Sequence, residues 1–309
     1  MSAHKQRAHS KFSASGSERW LKCAASVELE EASPPSEDSV WSVEGTKAHE
    51  VHETVFKVMT NPAFDMPGPC SVRTALSKSN NAMVAHAKAS VDIILGIADG
   101  LADPEILIEQ RIHNGDIHPE MFGTVDAALV ELYGTLHVID YKYGEGHIVN
   151  PVENTQMIQY ALGFAAKYDY QFTDVEMHII QPRGGGKIHK RWKITIEELR
   201  DKWRPLWVKG VERVTAGKSK PFPGSHCYWC RASKPVNGVV VCTAKRDQIK
   251  EVRNEKILNK FDTPFNEGIS NNGEKQEVSK KDIKPQSQKS AGKKAVEAFS
   301  ESEDGESWF

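Results

Sequence analysis

Gly123-Thr124-Val125-Asp126-Ala127-Ala128-Leu129-Val130 and Leu136-His137-Val138-Ile139-Asp140-Tyr141-Lys142 are two short stretches separated by Glu131-Leu132-Tyr133-Gly134-Thr135. Both are β-rich and apolar, and each carries an aspartate that strand stability does not ask for. Their separation predicts a hairpin, and the loop length sets its register. A two-residue loop at Tyr133-Gly134 would pair Asp126 with Tyr141 and send Asp126 to the face opposite Asp140 and Lys142, because side chains alternate along a strand. A three-residue loop, Leu132-Tyr133-Gly134, pairs Glu131 with Thr135 and Asp126 with Asp140. That loop wants a left-handed residue last, where Gly134 stands. It also puts Ala128, Val130, Leu136 and Val138 on one face with Asp126, Asp140 and Lys142. This second register is the coherent one. Two carboxylates so close repel, and one would take up a proton unless a cation lay between them. Oxygen ligands with room for water suit Mg²⁺ or Mn²⁺. A lysine at that spot can orient or deprotonate an attacking water.

Outward from the hairpin, Ile106–Ile112 reads as a preceding strand. Thr155–Tyr168 reads as a helix with an apolar stripe. Val175–Gln181 is a further strand, and Lys187–Thr195, after Gly184-Gly185-Gly186, is its antiparallel partner. Ile196–Val214 reads as a helix with a kink at Pro205. Upstream, the patterning predicts helices over Glu18–Leu29, from Gly45-Thr46 to Met59, and over Ala82–Ile97. The order predicts an α/β fold: a mixed central sheet flanked by helices in an αβββαβ core, with a helical N-terminal part.

The chain has 309 residues, a formal charge of −2 and 39% hydrophobic residues. The low apolar content points to a segment that does not pack. Residues 1–12 read as a flexible lead, 13–245 as the folded domain, and 246–309 as a low-complexity, largely disordered tail with an acidic Trp-Phe tip, Glu301–Phe309. No apolar run reaches the ~20 residues needed to span a bilayer. The polar N-terminus lacks a secretory leader, so a cytoplasmic protein without membrane attachment is expected. Near-zero net charge carries no global nucleic-acid signal, though it leaves room for a local basic groove.

Other residues stand beside the hairpin as candidates. Glu109 could add a carboxylate from the preceding strand or be an ordinary exposed charge. Gln156 and Tyr160, four apart, share a helix face and could hold a phosphate or the lysine. His49-Glu50-Val51-His52-Glu53 lacks the second histidine of a zinc-protease helix at position 53. Arg183, Lys187, Lys190 and Arg191 crowd near the aromatic Trp192, Trp203 and Trp207. Such a mixture suits a DNA channel, and equally a solvated strand beside a helix core stripe. Of five cysteines, Cys23 lies early, Cys70 is isolated, and three follow as Cys227-x2-Cys230-x11-Cys242.

Gly45-Thr46-x2-His49, Gly123-x2-Asp126, Asp140-Tyr141-Lys142 and Gln156-x3-Tyr160, in that order, resemble the motifs of RecB-like nucleases of the PD-(D/E)XK superfamily. The opening Ser13-x-Ser15-x3-Arg19-Trp20-x2-Cys23 is similar to a phage-encoded branch resembling the CRISPR adaptation exonucleases. The resemblance implies a metal-dependent DNA exonuclease of phage replication or recombination, or a non-catalytic DNA-binding or recombination module retaining the fold. It implies Mg²⁺ or Mn²⁺ ligands at His49, Asp126, Asp140 and the Tyr141 backbone carbonyl, with Glu109 as a further candidate. Lys142 would be the catalytic lysine, supported by Gln156 and Tyr160. It also implies a [4Fe-4S] cluster on Cys23, Cys227, Cys230 and Cys242, with Zn²⁺ as the rival occupant. The acidic Trp-Phe tip is similar to the tails of single-stranded-DNA-binding proteins, and so could recruit such a protein or a recombinase.

Overall fold

The structure is a computed structural model and describes residues 10–35, 38–61, 81–236 and 238–245. Cys70, most of the N-terminal lead and the tail from 246 onward lie outside the described residues.

Five strands form one sheet in the order β1-β2-β3-β4-β5: Glu105–His113, Phe122–Val130, Thr135–Tyr141, Asp174–Ile180 and His189–Thr195. β1, β2 and β3 form an antiparallel meander, β4 joins β3 in parallel, and β5 closes antiparallel on β4. The single parallel pair requires a crossover, supplied by the helix Thr155–Lys167. This is the mixed, helix-flanked α/β sheet that the order of elements predicts.

Helices cover both faces. The N-terminal part holds α1 (Ser17–Lys22), α2 (Ala25–Glu31), α3 (Val40–Thr60) and α4 (Ala82–Ala98). After β3 comes α5 (Thr155–Lys167). After β5 come α6 (Ile196–Glu198), a π-helical turn (Leu199–Trp203) and α7 (Arg204–Thr215). Trp20, Val27, Met157, Ile158, Phe164, Trp203 and Trp207 pack on one face with Val130, Leu136, Val138 and Ile179. On the opposite face, Ala48, Val55, Phe56, Val91 and Ile94 of α3 and α4 pack with Leu129, Ile139, Tyr141 and Ile180. The alternation of β3 thus feeds two separate cores, and the sheet is the middle of three layers.

Three local expectations change. The helix expected over Glu18–Leu29 is two helices, broken at Cys23, which leaves helical geometry at φ −131°, ψ 89°. α3 starts six residues before Thr46, capped by the Ser39 hydroxyl, which accepts from the Ser42 N–H at 3.1 Å. Gly45 and Thr46 therefore lie inside the helix rather than at its start. Pro205 does not interrupt a continuous helix: a π-helical turn precedes it, and the proline sits at the start of α7, where its missing N–H costs nothing. Trp203 and Trp207 are fully buried, so they form a core stripe rather than a channel wall.

The hairpin register holds. Val130 pairs with Leu136, Leu129 with His137, Ala128 with Val138 and Ala127 with Ile139, which sets Asp126 opposite Asp140. The left-handed residue, however, is Tyr133 (φ 63°) and not Gly134. Gly134 serves another purpose: a Cβ there would sit 2.3 Å from the Glu131 carboxylate, which folds back over the turn.

Gly123 is needed by packing. A Cβ on it would come within 2.8 Å of the Tyr160 ring and 3.4 Å of Ala14. Gly123→Ala should therefore destabilise the protein by about 1–3 kcal/mol through overpacking, measured by urea denaturation.

Candidate active site

The strand alternation breaks at one place. Leu107, Ala128 and Val130 belong to the same core as Ile112 and Val125, although both strands change parity between these sets. The pairing around the break keeps one register, Ile108 with Ala127 and Gln110 with Val125. No residue is inserted. The switch occurs at Glu109, in left-handed backbone (φ 46°), and at Asp126 opposite it. A non-glycine residue in that conformation inside a strand is strained, and such strain concentrates at functional positions. It alters one expectation: Asp126 does not simply share a face with Asp140 and Lys142 but lies where the sheet changes faces.

This position lets Asp126 serve two elements. Its Oδ1 lies 3.1 Å from His49 Nδ1 of α3, and its Oδ2 accepts the Tyr141 N–H at 2.7 Å. The side chain thereby takes the ladder's place at the end of the hairpin. Asp140 continues the Leu136–Val138 face toward α5. Lys142 Nζ lies 2.9 Å from Asp140 Oδ2 and donates to Gln156 Oε1 at 3.1 Å. Gln156 Nε2 donates to Asp140 Oδ1 at 3.0 Å and to Tyr160 Oη at 3.2 Å. His49 arrives from one helical layer, and Gln156 and Tyr160 from the other. They meet around a cavity of about 350 Å³, also lined by Glu109, Thr124, Trp41, Ser42, Gly45 and Thr46.

Trp41 and Ser42 escape sequence reading, and Gly45 enters it only as part of the Gly45-Thr46-x2-His49 motif. Trp41, on the first turn of α3, lines the cavity while 69% exposed. Gly45 sits mid-helix, where glycine costs about 1 kcal/mol relative to alanine, and nothing lies within 4 Å of the position a Cβ would take. No core packing explains this glycine, and its missing side chain leaves the cavity wall open. An exposed tryptophan within Ser/Glu-rich sequence was the available signal.

The charges organise around the two carboxylates. Burial pushes the Asp126 carboxyl up, but the His49 imidazolium, Lys142 and the Tyr141 N–H together bring its pKa below the ordinary value. Burial and the Asp126 charge hold Asp140 above the usual carboxylate range, against the pull of Lys142. Burial would lower Lys142, yet Asp140 keeps it raised and protonated. Burial likewise opposes charge on His49, but Asp126 overrides it and carries the pKa from 6.5 to about 9. The proton on His49 and the amine of Lys142 thus supply the positive charge that two buried carboxylates require.

A divalent cation fits this set. His49, Glu109 and Asp126 offer ligand atoms within 4.8 Å of one another. Asp140 Oδ2 is buried and accepts no directed hydrogen bond, despite the nearby lysine. Imidazole with carboxylates suits Mn²⁺ as well as Mg²⁺.

The four cysteines also gather, at the far end of α1. Cys23, at the α1–α2 break, accepts the Phe222 N–H at 3.4 Å and feels the charges of Cys227 and Cys242. Cys230 and Cys242 share a small apolar cluster with Ala232. Glu30 pins the two cysteine segments together through Arg19 at 2.5 Å and the Arg231 N–H at 2.8 Å. All four are free thiols. Burial raises Cys23 and carries Cys230 to about 11, the condition of thiols without a cation. Three buried thiols and the half-buried Cys227 fit a metal group. Among the described residues, no three of these sulfurs lie within 4.8 Å of one another, whereas four ~2.3 Å bonds to zinc would draw them together to roughly 4 Å.

The basic residues expected at DNA are not brought together. Arg183 stacks on Tyr143 and is held by Glu44 and Glu145. Lys187 lies on the exposed turn before β5. Lys190 donates to the Val149 carbonyl at 2.6 Å, and Arg191, on the other sheet face, pairs with Glu176. None of the four lines the cavity.

The His49–Asp126 pair sets a pH dependence in metal-free protein. A raised folded-state pKa stabilises fully below 6.5, and that contribution is lost as pH rises toward about 9. Thermal midpoints of chelator-treated protein should decline across this window, and His49→Gln should remove that part of the decline.

Among solved structures, one described as "Crystal structure of SSO0001" is similar over 74% of this chain and 96% of that chain, at 15% identity and a TM-score of 0.28, a likeness too weak to argue from. The family described as "Protein of unknown function (DUF2800)" matches residues 9–294, and the chain belongs to that family.

Proposed function

We propose that this protein is a metal-dependent DNA nuclease of the RecB-like PD-(D/E)XK kind, acting as an exonuclease. The observation that carries the reading is the convergence of His49, Glu109, Asp126, Asp140, Lys142, Gln156 and Tyr160, from five elements, on one cavity. Buried charges that cost stability are assembled there around a strained backbone, which favours chemistry over architecture.

His49, Glu109 and Asp126 would hold Mg²⁺ or Mn²⁺, with Asp140 and the Tyr141 carbonyl completing the shell. When bound, the cation supplies Lewis-acid stabilisation of a phosphodiester and lowers the pKa of the attacking water. Lys142 is protonated and held by Asp140 and Gln156, so it acts by donating: it orients the water and offsets charge growing on the phosphoryl oxygens. Gln156 fixes both Asp140 and Lys142, and Tyr160 fixes Gln156 from behind. Trp41 offers an exposed ring at the cavity edge on which a base can stack, and Gly45 leaves room for the backbone of the strand.

The test is digestion of end-labelled single- and double-stranded DNA in Mn²⁺ or Mg²⁺. Asp140→Asn and Lys142→Ala should each lose on the order of 10²-fold or more in rate with an unchanged circular dichroism spectrum. Trp41→Ala should weaken DNA binding with less effect on the turnover of bound substrate. Variants as active as the parent would reject the mechanism, and DNA binding without cleavage by the parent would favour a non-catalytic module.

The cysteine site is proposed to hold a [4Fe-4S] cluster, a reading supported by the gathering of one early cysteine, Cys23, with the late Cys227, Cys230 and Cys242. Anaerobically purified protein should show a visible charge-transfer band that Cys230→Ser removes. A colourless protein carrying zinc would decide for the rival metal.

A further inference from the structure

A second group of ligating side chains lies away from both sites. His137 on β3, Glu176 and His178 on β4, and His189 on β5 form a row on the sheet face that α3 and α4 share. His137 is 5%, Glu176 8% and His178 1% exposed. His137 stands four residues before Tyr141, ~13 Å along the strand, and on the face opposite Asp140.

Three atoms converge. His137 Nδ1 is 3.0 Å from His178 Nε2 and 3.7 Å from Glu176 Oε2, and the three side chains offer ligand atoms within 4.8 Å of one another. One imidazole nitrogen donates to the other, and the Glu176 carboxylate beside them, 3.7 Å from His137 Nδ1, receives no hydrogen bond from that pair. The remaining His137 nitrogen, Nε2, is buried without a hydrogen-bond partner, so no contact fixes which nitrogen carries the ring proton. The other two ligands are held from behind. His178 Nδ1 meets His189 Nε2 at 2.9 Å, and Glu176 Oε1 meets Arg191 at 3.1 Å. This is the second layer of support that orients metal-binding histidines and carboxylates.

We propose that His137, Glu176 and His178 form a Zn²⁺ site that ties β3 to β4, with His189 and Arg191 as its positioning residues. Two imidazoles and a carboxylate are a donor set that zinc accepts. The site lies within a layer of the sheet rather than in the nuclease cavity, so its role is to brace the sheet, and its existence is independent of any nuclease activity.

Full-length protein, stripped by chelator and dialysed against Zn²⁺, would be assayed for bound metal by elemental mass spectrometry. Glu176→Gln and His178→Gln should each bind one equivalent less than the parent, leaving the cysteine and carboxylate sites their share. Zn²⁺ should raise the parent's thermal midpoint more than that of Glu176→Gln, because a ligand that binds only the folded state stabilises it. His189→Phe keeps all three ligands and should weaken the lost equivalent by about 10–100-fold, which a purely structural histidine would not do. Should His178→Gln fail to fold, Glu176→Gln and His189→Phe decide the matter. Equal Zn²⁺ equivalents and affinities in those variants and the parent would overturn the assignment.

Discussion

Everything at the candidate site hangs on one hydrogen bond, from the Tyr141 N–H to the Asp126 carboxylate. The β2–β3 ladder pairs backbone to backbone as far as Ala127 and Ile139, and the Asp126 side chain takes over at the end. A buried carboxylate in that place must be matched by positive charge, because leaving it unpaired costs several kcal/mol. His49 and Lys142 provide the match, each through a different partner. The helices that carry His49 and Gln156 are therefore tied to the hairpin by charge as well as by apolar packing.

The change of faces at Glu109 and Asp126 explains how two helical layers reach one cavity. A regular sheet separates what lies above it from what lies below, and alternation would keep α3 and α5 apart. Here the parity switch points Asp126 toward α3 while Asp140 keeps facing α5. The same switch brings Glu109 within reach of His49 and Asp126. The strain of its left-handed backbone is the structural cost of that convergence.

The folded domain also distributes its polar groups unevenly. Apolar cores on both faces of the sheet surround three polar clusters: the carboxylate cavity, the four thiols, and the histidine row. The carboxylate cavity and the histidine row each bury a polar atom left without a hydrogen-bond partner, Asp140 Oδ2 and His137 Nε2. Such groups persist where a ligand completes them. The Arg19–Glu30–Arg231 linkage has a plainer purpose. It joins segments two hundred residues apart in sequence and so holds Cys23 beside the late cysteines.

Much was legible from residue order alone, for identifiable reasons. The hairpin register followed from loop length and the period of two, since any other register would have turned an apolar face to the wrong side. The five strands and the crossover helix announced themselves by alternation and by the Thr155–Lys167 stripe. What the chain by itself did not disclose depends on packing. Gly45-Thr46 resembled a helix start, yet Ser39 had already capped the helix. Cys23 interrupts a segment that is helical by pattern, because its thiol is used by the 222–242 region. Gly134 looked like the left-handed residue, but the Glu131 side chain claims the space above it and Tyr133 takes the conformation. His137, His178 and His189 follow no spacing rule, being neighbours only across three strands. Local sequence determines elements and register through short-range sterics and periodicity. Only the tertiary structure decides which distant charges meet, because that depends on where the sheet switches faces and which helix lies over each side.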